Sequence, residues 1–144
     1  MADLHRVTLG AMPRCVFVYG TLRRGQANDI NQLQPAPRFV GPAVLAGTLF
    51  DLGDYPGLVL PGSVSDLPVG EVVGEVYAIE SALEQRLDTI EGLLPQDSGE
   101  YAKRDCDVRV AGKLLRCLVY EINPRRLTAA RLINGCDWSA RTSK

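Results

Sequence analysis

Six stretches rich in β-branched and aromatic residues run along the chain, and only one segment carries a complete helical signature. The stretches are Cys15 to Tyr19, Val44 to Leu52, Gly57 to Leu60, Val72 to Ile79, Tyr101 to Val110 and Lys113 to Ile122, most of them separated by Gly, Pro, Asn or Asp. The regular strand–helix alternation of a doubly wound sheet is missing. The expected class is therefore α+β, with a mixed, mostly antiparallel, barrel-like β core and one or two helices. The chain has 144 residues, 46% of them hydrophobic, enough to close one core but not two. We expect one domain over residues 15–144, preceded by a flexible extension, 1–14, in which charges alternate with single apolar residues.

The helical segment begins at Ser81, which with Glu84 reads as a capping box. Leu83, Leu87 and Ile90 supply an apolar stripe, and Gly92 is placed to cap the C-terminus. Shorter helices are expected from Asn28 to Leu33 and from Asn123-Pro124 through Arg131. Ala111-Gly112 reads as a two-residue hairpin turn. It would set Val110 opposite Lys113, Val108 opposite Leu115, Asp107 opposite Arg116 and Cys106 opposite Cys117.

Composition narrows the chemistry. Sixteen basic residues stand against seventeen acidic ones, with no run of either sign, so no footprint for nucleic acid or an anionic membrane is present. No apolar stretch approaches a membrane span and the first fourteen residues lack a signal-peptide pattern, which together make a cytoplasmic location the expectation. Cys15, Cys106, Cys117 and Cys136 contain no C-x-x-C pair, and His5 is the only histidine. A zinc site is thus not expected, and free thiols are preferred over a Cys106–Cys117 disulfide. A Ser-His or Cys-His nucleophile would have to recruit His5 from the leading segment. Proton transfer near neutral pH falls instead to a carboxylate, a lysine or a tyrosine.

Two features could carry such chemistry. The strand Val16-Phe17-Val18-Tyr19 ends abruptly at Gly20, whose backbone freedom would let the amides of Gly20, Thr21 and Leu22 turn toward one point as an anion or oxyanion cradle. The plainer alternative is a solvated turn followed by an exposed pair, Arg23 and Arg24. Glu91 sits at the last turn of the helix, where the dipole disfavours a carboxylate. At about 100° per residue it flanks the apolar stripe while Asp88 points away. Partial burial would then raise its pKa into the range useful to a general acid/base, the alternative being a surface glutamate at a fraying end.

The run Val16-Phe17-Val18-Tyr19-Gly20-Thr21-Leu22-Arg23-Arg24-Gly25 resembles the substrate-loop signature of the gamma-glutamylcyclotransferase family, especially its small bacterial and gamma-glutamylamine-processing members. Gly53-Asp54-Tyr55-Pro56-Gly57-Leu58 is similar to the family's Gly-x-Tyr-Pro segment, and Gly74-Glu75-Val76-Tyr77 to its Gly-Glu-Val-Tyr strand. Leu87-Asp88-Thr89-Ile90-Glu91-Gly92 is similar to the helix end that carries the family's catalytic glutamate. Tyr101, Lys103, Cys106 and Val108 fit the next strand, and Gly135-Cys136-Asp137-Trp138 resembles the closing Gly-Asp-Trp segment. Lys103 stands where the family usually has arginine, Cys106 where it has valine, and Cys136 splits the closing segment.

The resemblance implies release of 5-oxoproline from a gamma-glutamyl compound, with glutathione-related metabolism as one setting. Glu91 would be the catalytic acid/base. The Tyr19, Gly20, Thr21 and Leu22 loop would bind substrate, through its carboxylate or its oxyanion. Tyr55 and Tyr101 would join Tyr19 as pocket walls with hydroxyls free for polar contacts, and Trp138 would pack. No metal or organic cofactor is implied, and the partner is a small gamma-glutamyl molecule. The leaving amine and the oligomeric state stay open, as do an inactive binding module and an amide hydrolase on the same scaffold.

Overall fold

The computed structural model describes residues 14–64, 66–127 and 131–132, the last pair by backbone alone. His5, Cys136 and the Gly135-to-Trp138 segment lie outside the described residues. Strands form at all six expected places: β1 (Arg14–Val18), β2 (Arg38–Asp51), β3 (Pro56–Val59), β4 (Gly70–Ile79), β5 (Tyr101–Val110) and β6 (Lys113–Ile122). A short β7 (Arg131–Leu132) pairs with the end of β2. The helix α1 spans Ser81–Ile90. None of the helices is long and apolar enough to cross a membrane, among the described residues.

The strands β2, β4, β1, β6 and β5 are hydrogen-bonded in that order, and β5 returns to β2 at Ala43↔Val110 and Val44↔Arg109, which closes a barrel. All of its pairings are antiparallel except one. β1 lies parallel to β6, with Cys15 opposite Cys117 and Val16 opposite Leu118. Because side chains alternate across a strand, Phe17 and Tyr19 pack with Leu45, Val72, Val76 and Val119 inside the barrel. Val16 and Val18 face the other way, against Ile79, Leu83, Leu87 and Leu118 beneath α1. β1 is therefore buried on both faces, the pattern of a continuous apolar run rather than an alternating one.

The differences from expectation have local causes. β1 begins at Arg14, inside the segment expected to be an extension; Arg14 pairs with Ile79 and donates a 2.7 Å hydrogen bond to Asp105. β2 starts at Arg38 rather than Val44, since Gly41 and Pro42, which read as breakers, follow a register shift between Phe39 and Gly41. The capping box does not form. Glu80 is the N-cap and makes no side-chain cap bond, while Glu84 accepts from Lys103 at 2.5 Å, a charge-assisted bond stronger than the capping contact it replaces. At the other end Gly92 behaves as expected. With φ +83° it forms a Schellman closure, its amide reaching Thr89 O at 3.1 Å and that of Leu93 reaching Asp88 O at 2.7 Å.

Where the two minor helices were expected, the described residues form 3₁₀ turns, Ile30–Gln32 and Pro124–Leu127, and residues 128–130 of the second lie outside the described residues. In the first, Asp29 accepts hydrogen bonds from both the backbone and the side chain of Asn31, the local competition that weakens helices rich in Asn and Asp. Cys15, Cys106 and Cys117 are free thiols. Burial, with Cys15 and Cys106 beside it, pushes Cys117 up to about 12, which makes it a poor nucleophile.

The β5–β6 hairpin has the expected register, including Asp107 opposite Arg116 at 3.4 Å on an exposed face. Its turn places both Ala111 (φ +50°) and Gly112 (φ +79°) in the left-handed region, the type I′ geometry. Alanine is strained there, whereas asparagine tolerates it. Ala111→Asn is expected to raise the unfolding free energy by about 0.5–1 kcal/mol without touching the cleft. Urea denaturation measures this, and an unchanged or lowered midpoint would contradict the turn assignment.

Candidate active site

A cleft of about 230 Å³ opens where four chain segments converge: the end of β1, the loop between β2 and β3, the C-terminus of α1 and the entry to β5. Its lining includes all seven residues singled out from the sequence, Tyr19, Gly20, Thr21, Leu22, Tyr55, Glu91 and Tyr101. Glu91 lies about seventy residues from the β1 loop in sequence. The barrel brings them together because β1 and α1 share the outer apolar layer through Val16, Val18, Leu83 and Leu87.

The loop after β1 is held from several sides. Arg23 Nε donates to Glu75 Oε2 at 2.7 Å and the Arg24 amide to Glu75 Oε1 at 3.1 Å, so β4 anchors the loop. The Arg24 guanidinium lies 4.9 Å from the centre of the Phe39 ring. Neither arginine belongs to a simple solvated pair. The carbonyls of Gly20, Thr21 and Leu22 accept from Arg23, Asn28 and Ile30, whereas the amides of these three residues find no acceptor among the described residues. Gly20 is required here for a different reason than expected. Its φ is not left-handed; a Cβ would fall 2.7 Å from Pro56 Cδ and nearer still to Cγ, so only glycine lets the strand end pass under Pro56.

Glu91 is the C-cap of α1, its amide bonded to Leu87 O at 2.8 Å. The residue as a whole is half-buried, but its carboxyl group lies deep in the cleft wall, without a side-chain partner among the described residues. Desolvation, reinforced by the negative charge of Glu100, pushes its pKa up to about 7 from an ordinary 4.5.

The three tyrosines are walls, but their hydroxyls are not free as expected. Tyr19 donates to Tyr120 O at 2.7 Å and accepts from the Leu58 amide at 3.2 Å. Tyr101 donates to Pro56 O at 2.7 Å, and Tyr55 donates to Glu100 in a short hydrogen bond. Burial, and the hydrogen bond to Glu100 for Tyr55, hold all three phenols above their ordinary pKa. Their protons are committed to the protein framework.

Asp88 is not part of the cleft lining, but it is held by the neighbouring strands: Oδ1 accepts from Tyr120 OH at 2.6 Å and Oδ2 from Lys103 Nζ at 3.0 Å. The cause is the neighbouring strand pair, because Lys103 and Tyr120 stand opposite one another on β5 and β6, directly under α1. Lys103 loses something to desolvation, but its bonds to Glu84 and Asp88 more than compensate and hold it protonated. Among the lining residues that sequence reasoning did not single out, Asp54, Glu100 and Tyr120 carry ionisable groups. Asp54 and Glu100 could have been found as direct neighbours of Tyr55 and Tyr101; Tyr120, inside an apolar strand, carried no signal. No group of side chains suited to a metal ion occurs among the described residues.

Residues 16–140 match the family described as gamma-glutamyl cyclotransferase, AIG2-like. The chain is 34% identical over 100 residues to a gamma-L-glutamyl-butirosin B gamma-glutamyl cyclotransferase from Niallia circulans, covering 67% of this chain and 59% of that protein. It is 36% identical over 88 residues to a protein from Vibrio cholerae named as a gamma-glutamylcyclotransferase, covering 56% of this chain and 64% of the relative. The match thus spans roughly three-fifths of the length of these curated relatives. A crystal structure of an AIG2-like protein from Mus musculus superposes with a TM-score of 0.68 at 25% identity, covering 88% of each chain. The chain belongs to the gamma-glutamyl cyclotransferase, AIG2-like family.

Proposed function

We propose that this protein cyclises a gamma-glutamyl compound, releasing 5-oxoproline and a free amine, with Glu91 as the proton carrier. The observation that carries this reading is the unpartnered Glu91 carboxyl group in the cleft wall, poised at about 7. A carboxylate near that value can both accept and return a proton at neutral pH. The reaction is intramolecular: the substrate's own α-nitrogen attacks its γ-carbonyl carbon, and the bond from that carbon to the leaving nitrogen breaks. Holding the glutamyl chain folded supplies most of the orientation advantage. The α-ammonium gives up two protons in becoming the lactam N–H, and the departing nitrogen gains two in leaving as an ammonium. Glu91 carries protons between them. The free amides of Gly20, Thr21 and Leu22 suit the substrate carboxylate or the oxyanion formed at the γ-carbon. The aromatic walls, Tyr19, Tyr55 and Tyr101, pack the glutamyl methylenes.

Glu91→Gln keeps the shape and removes proton exchange. It is expected to lower 5-oxoproline release by about 10²-fold or more, with little change in KM; full activity would refute the role. The same variant tests the cost of the site. With a folded-state pKa raised from 4.5 to about 7, the folded protein binds more protons than the unfolded chain within that window, so stability is greatest below it and falls as pH rises through it. The loss is about 3 kcal/mol at pH 8. Glu91→Gln is therefore expected to melt higher than wild type at pH 8 and near wild type at pH 4.5, as read by calorimetry.

Glu100 is the charged group that adds to desolvation in raising Glu91. In kcat/KM against pH, the ascending limb near pH 7 should move to lower pH in Glu100→Gln. A limb that stays in place would remove Glu100 from the tuning of Glu91.

A further inference from the structure

Tyr120 of β6 is bonded to two other segments of the cleft at once. Its ring lines the cleft, and the residue is 3% exposed. Its hydroxyl donates to Asp88 Oδ1 at 2.6 Å, about one helical turn before Glu91. Its carbonyl accepts from Tyr19 OH at 2.7 Å, at the strand end that leads into the Gly20, Thr21 and Leu22 amides. The run continues both ways. Asp88 Oδ2 accepts from Lys103 Nζ of β5 at 3.0 Å, and Tyr19 OH accepts from the Leu58 amide of β3 at 3.2 Å. One hydrogen-bonded chain thus fastens α1, β1, β3, β5 and β6 to each other. Both phenols keep their protons near neutral pH, because burial above all, and for Tyr120 also the bond to Asp88, hold them above the ordinary tyrosine value.

The two chemical halves of the cleft hang from opposite ends of this chain. Glu91 follows Asp88 on α1, and the amides follow Tyr19 directly. Both halves act on one folded substrate, so their separation matters: a misplacement of about 1 Å can cost about 10²-fold in rate. Burial of Leu83 and Leu87 holds α1 down, but the hydrophobic effect is non-directional and does not set how far the helix slides or turns. Directional hydrogen bonds do. Resting on the cyclisation reading above, we propose that Tyr120 is a positioning residue, which fixes the Glu91 end of α1 through its hydroxyl and the amide-bearing end of β1 through its carbonyl, holding proton carrier and cradle in register. A residue that only packed would need the ring and not the hydroxyl. Glu91 is faced by Tyr19 from β1, Tyr101 from β5, Tyr120 from β6 and Glu100 from the entry to β5; Asp54 and Tyr55 line the same cleft, and Asp88 precedes it on its own helix. The phenols are neutral, so removing the Tyr120 hydroxyl changes no charge around Glu91. It loosens the helix end, admits water to the carboxyl group and relieves the desolvation that chiefly raises it.

Tyr120→Phe keeps the ring and removes the hydroxyl, and Asp88→Ala breaks the same bond from the helix side. Both are assayed for 5-oxoproline release from γ-glutamyl-n-butylamide. In each, kcat is expected to fall about tenfold while KM stays within about twofold of wild type. Because the two groups act through one bond, the double variant should lose no more than the worse single one. The Glu91 carboxyl group is titrated by carbon NMR in glutamate-labelled wild type and Tyr120→Phe, its signal assigned by its absence in Glu91→Gln. The titration, and with it the ascending limb of kcat/KM, should move from about 7 toward the ordinary 4.5 in Tyr120→Phe. An unmoved titration or an unchanged kcat would overturn the proposal. So would a rise in KM alone, the mark of a substrate wall, or losses that multiply in the double variant. Should Tyr120→Phe not fold, the split between kcat and KM in Asp88→Ala decides, since Asp88 lies at the half-buried surface of α1. The cyclisation reading fails separately: no 5-oxoproline from wild type sinks it, while the titration, which needs no turnover, still decides the role of Tyr120.

Discussion

The cleft depends on β1 being buried on both of its faces. Val16, Phe17 and Val18 are each no more than 2% exposed, two sealed under α1 and one inside the barrel. Flanked by β4 on one side and β6 on the other, the strand has nowhere to go but out of the end of the barrel. There the ladder stops, and the backbone amides of Gly20, Thr21 and Leu22 are left without strand partners beside Pro56 and the aromatic rings. Free amides beside an apolar cleft are thus a consequence of how β1 is packed, and the glycine at position 20 is what lets the strand end come so close to Pro56.

A desolvated glutamate at the negative end of a helix works against the fold, so something must hold α1 in place. Leu83 and Leu87 are fully buried, each contributing about 1.5–3 kcal/mol relative to exposure. That sum exceeds the roughly 3 kcal/mol that Glu91 costs when ionised. The polar contacts set direction rather than magnitude. Lys103 bridges Glu84 and Asp88, Tyr120 bonds Asp88, and the Schellman closure at Gly92 uses the Asp88 carbonyl as well. Asp88 is fastened by backbone and side chain, one turn before Glu91. The helix end is therefore fixed where an uncapped end would fray, and the Glu91 carboxyl group is kept against the cleft instead of reaching solvent.

Much of this was legible in the sequence, for definite reasons. The β5–β6 register could be read to the residue because a two-residue turn leaves only one way to pair the strands. The helix end and the position of Glu91 followed from the leucine spacing and Gly92. What could not be read were choices between partners. Glu84 is equally suited to cap Ser81 or to pair with Lys103, and only the placement of β5 beneath the helix decides. Asp88 points away from the cleft as helical geometry predicts, but that geometry knows nothing of the tyrosine on β6 that donates to it. Tyr120 enters the cleft from inside an apolar strand through contacts between distant segments, which no local pattern announces. The tyrosines were recognisable as walls, but the commitment of their hydroxyls depends on carbonyls such as Pro56 O and Tyr120 O.

Those committed hydroxyls sharpen the chemical reading. A cleft with four tyrosines, Tyr19, Tyr55, Tyr101 and Tyr120, offers four possible proton donors on composition alone. Each already donates to a protein oxygen, and burial or the bond itself raises its pKa further from neutrality. Lys103, the other candidate by residue type, lies between two carboxylates, which hold its protons tightly. The framework has thus used up its polar groups one against another, as buried polar groups in a stable fold must be. The exceptions are the buried carboxyl group of Glu91 and the amides after β1. In a well-packed protein, unsatisfied groups of both signs around one cleft are an unfavourable arrangement unless a ligand completes it. A molecule that completes it would bring an acceptor for the amides and positive charge for Glu91, and the carboxylate and α-ammonium of the proposed γ-glutamyl substrate carry both.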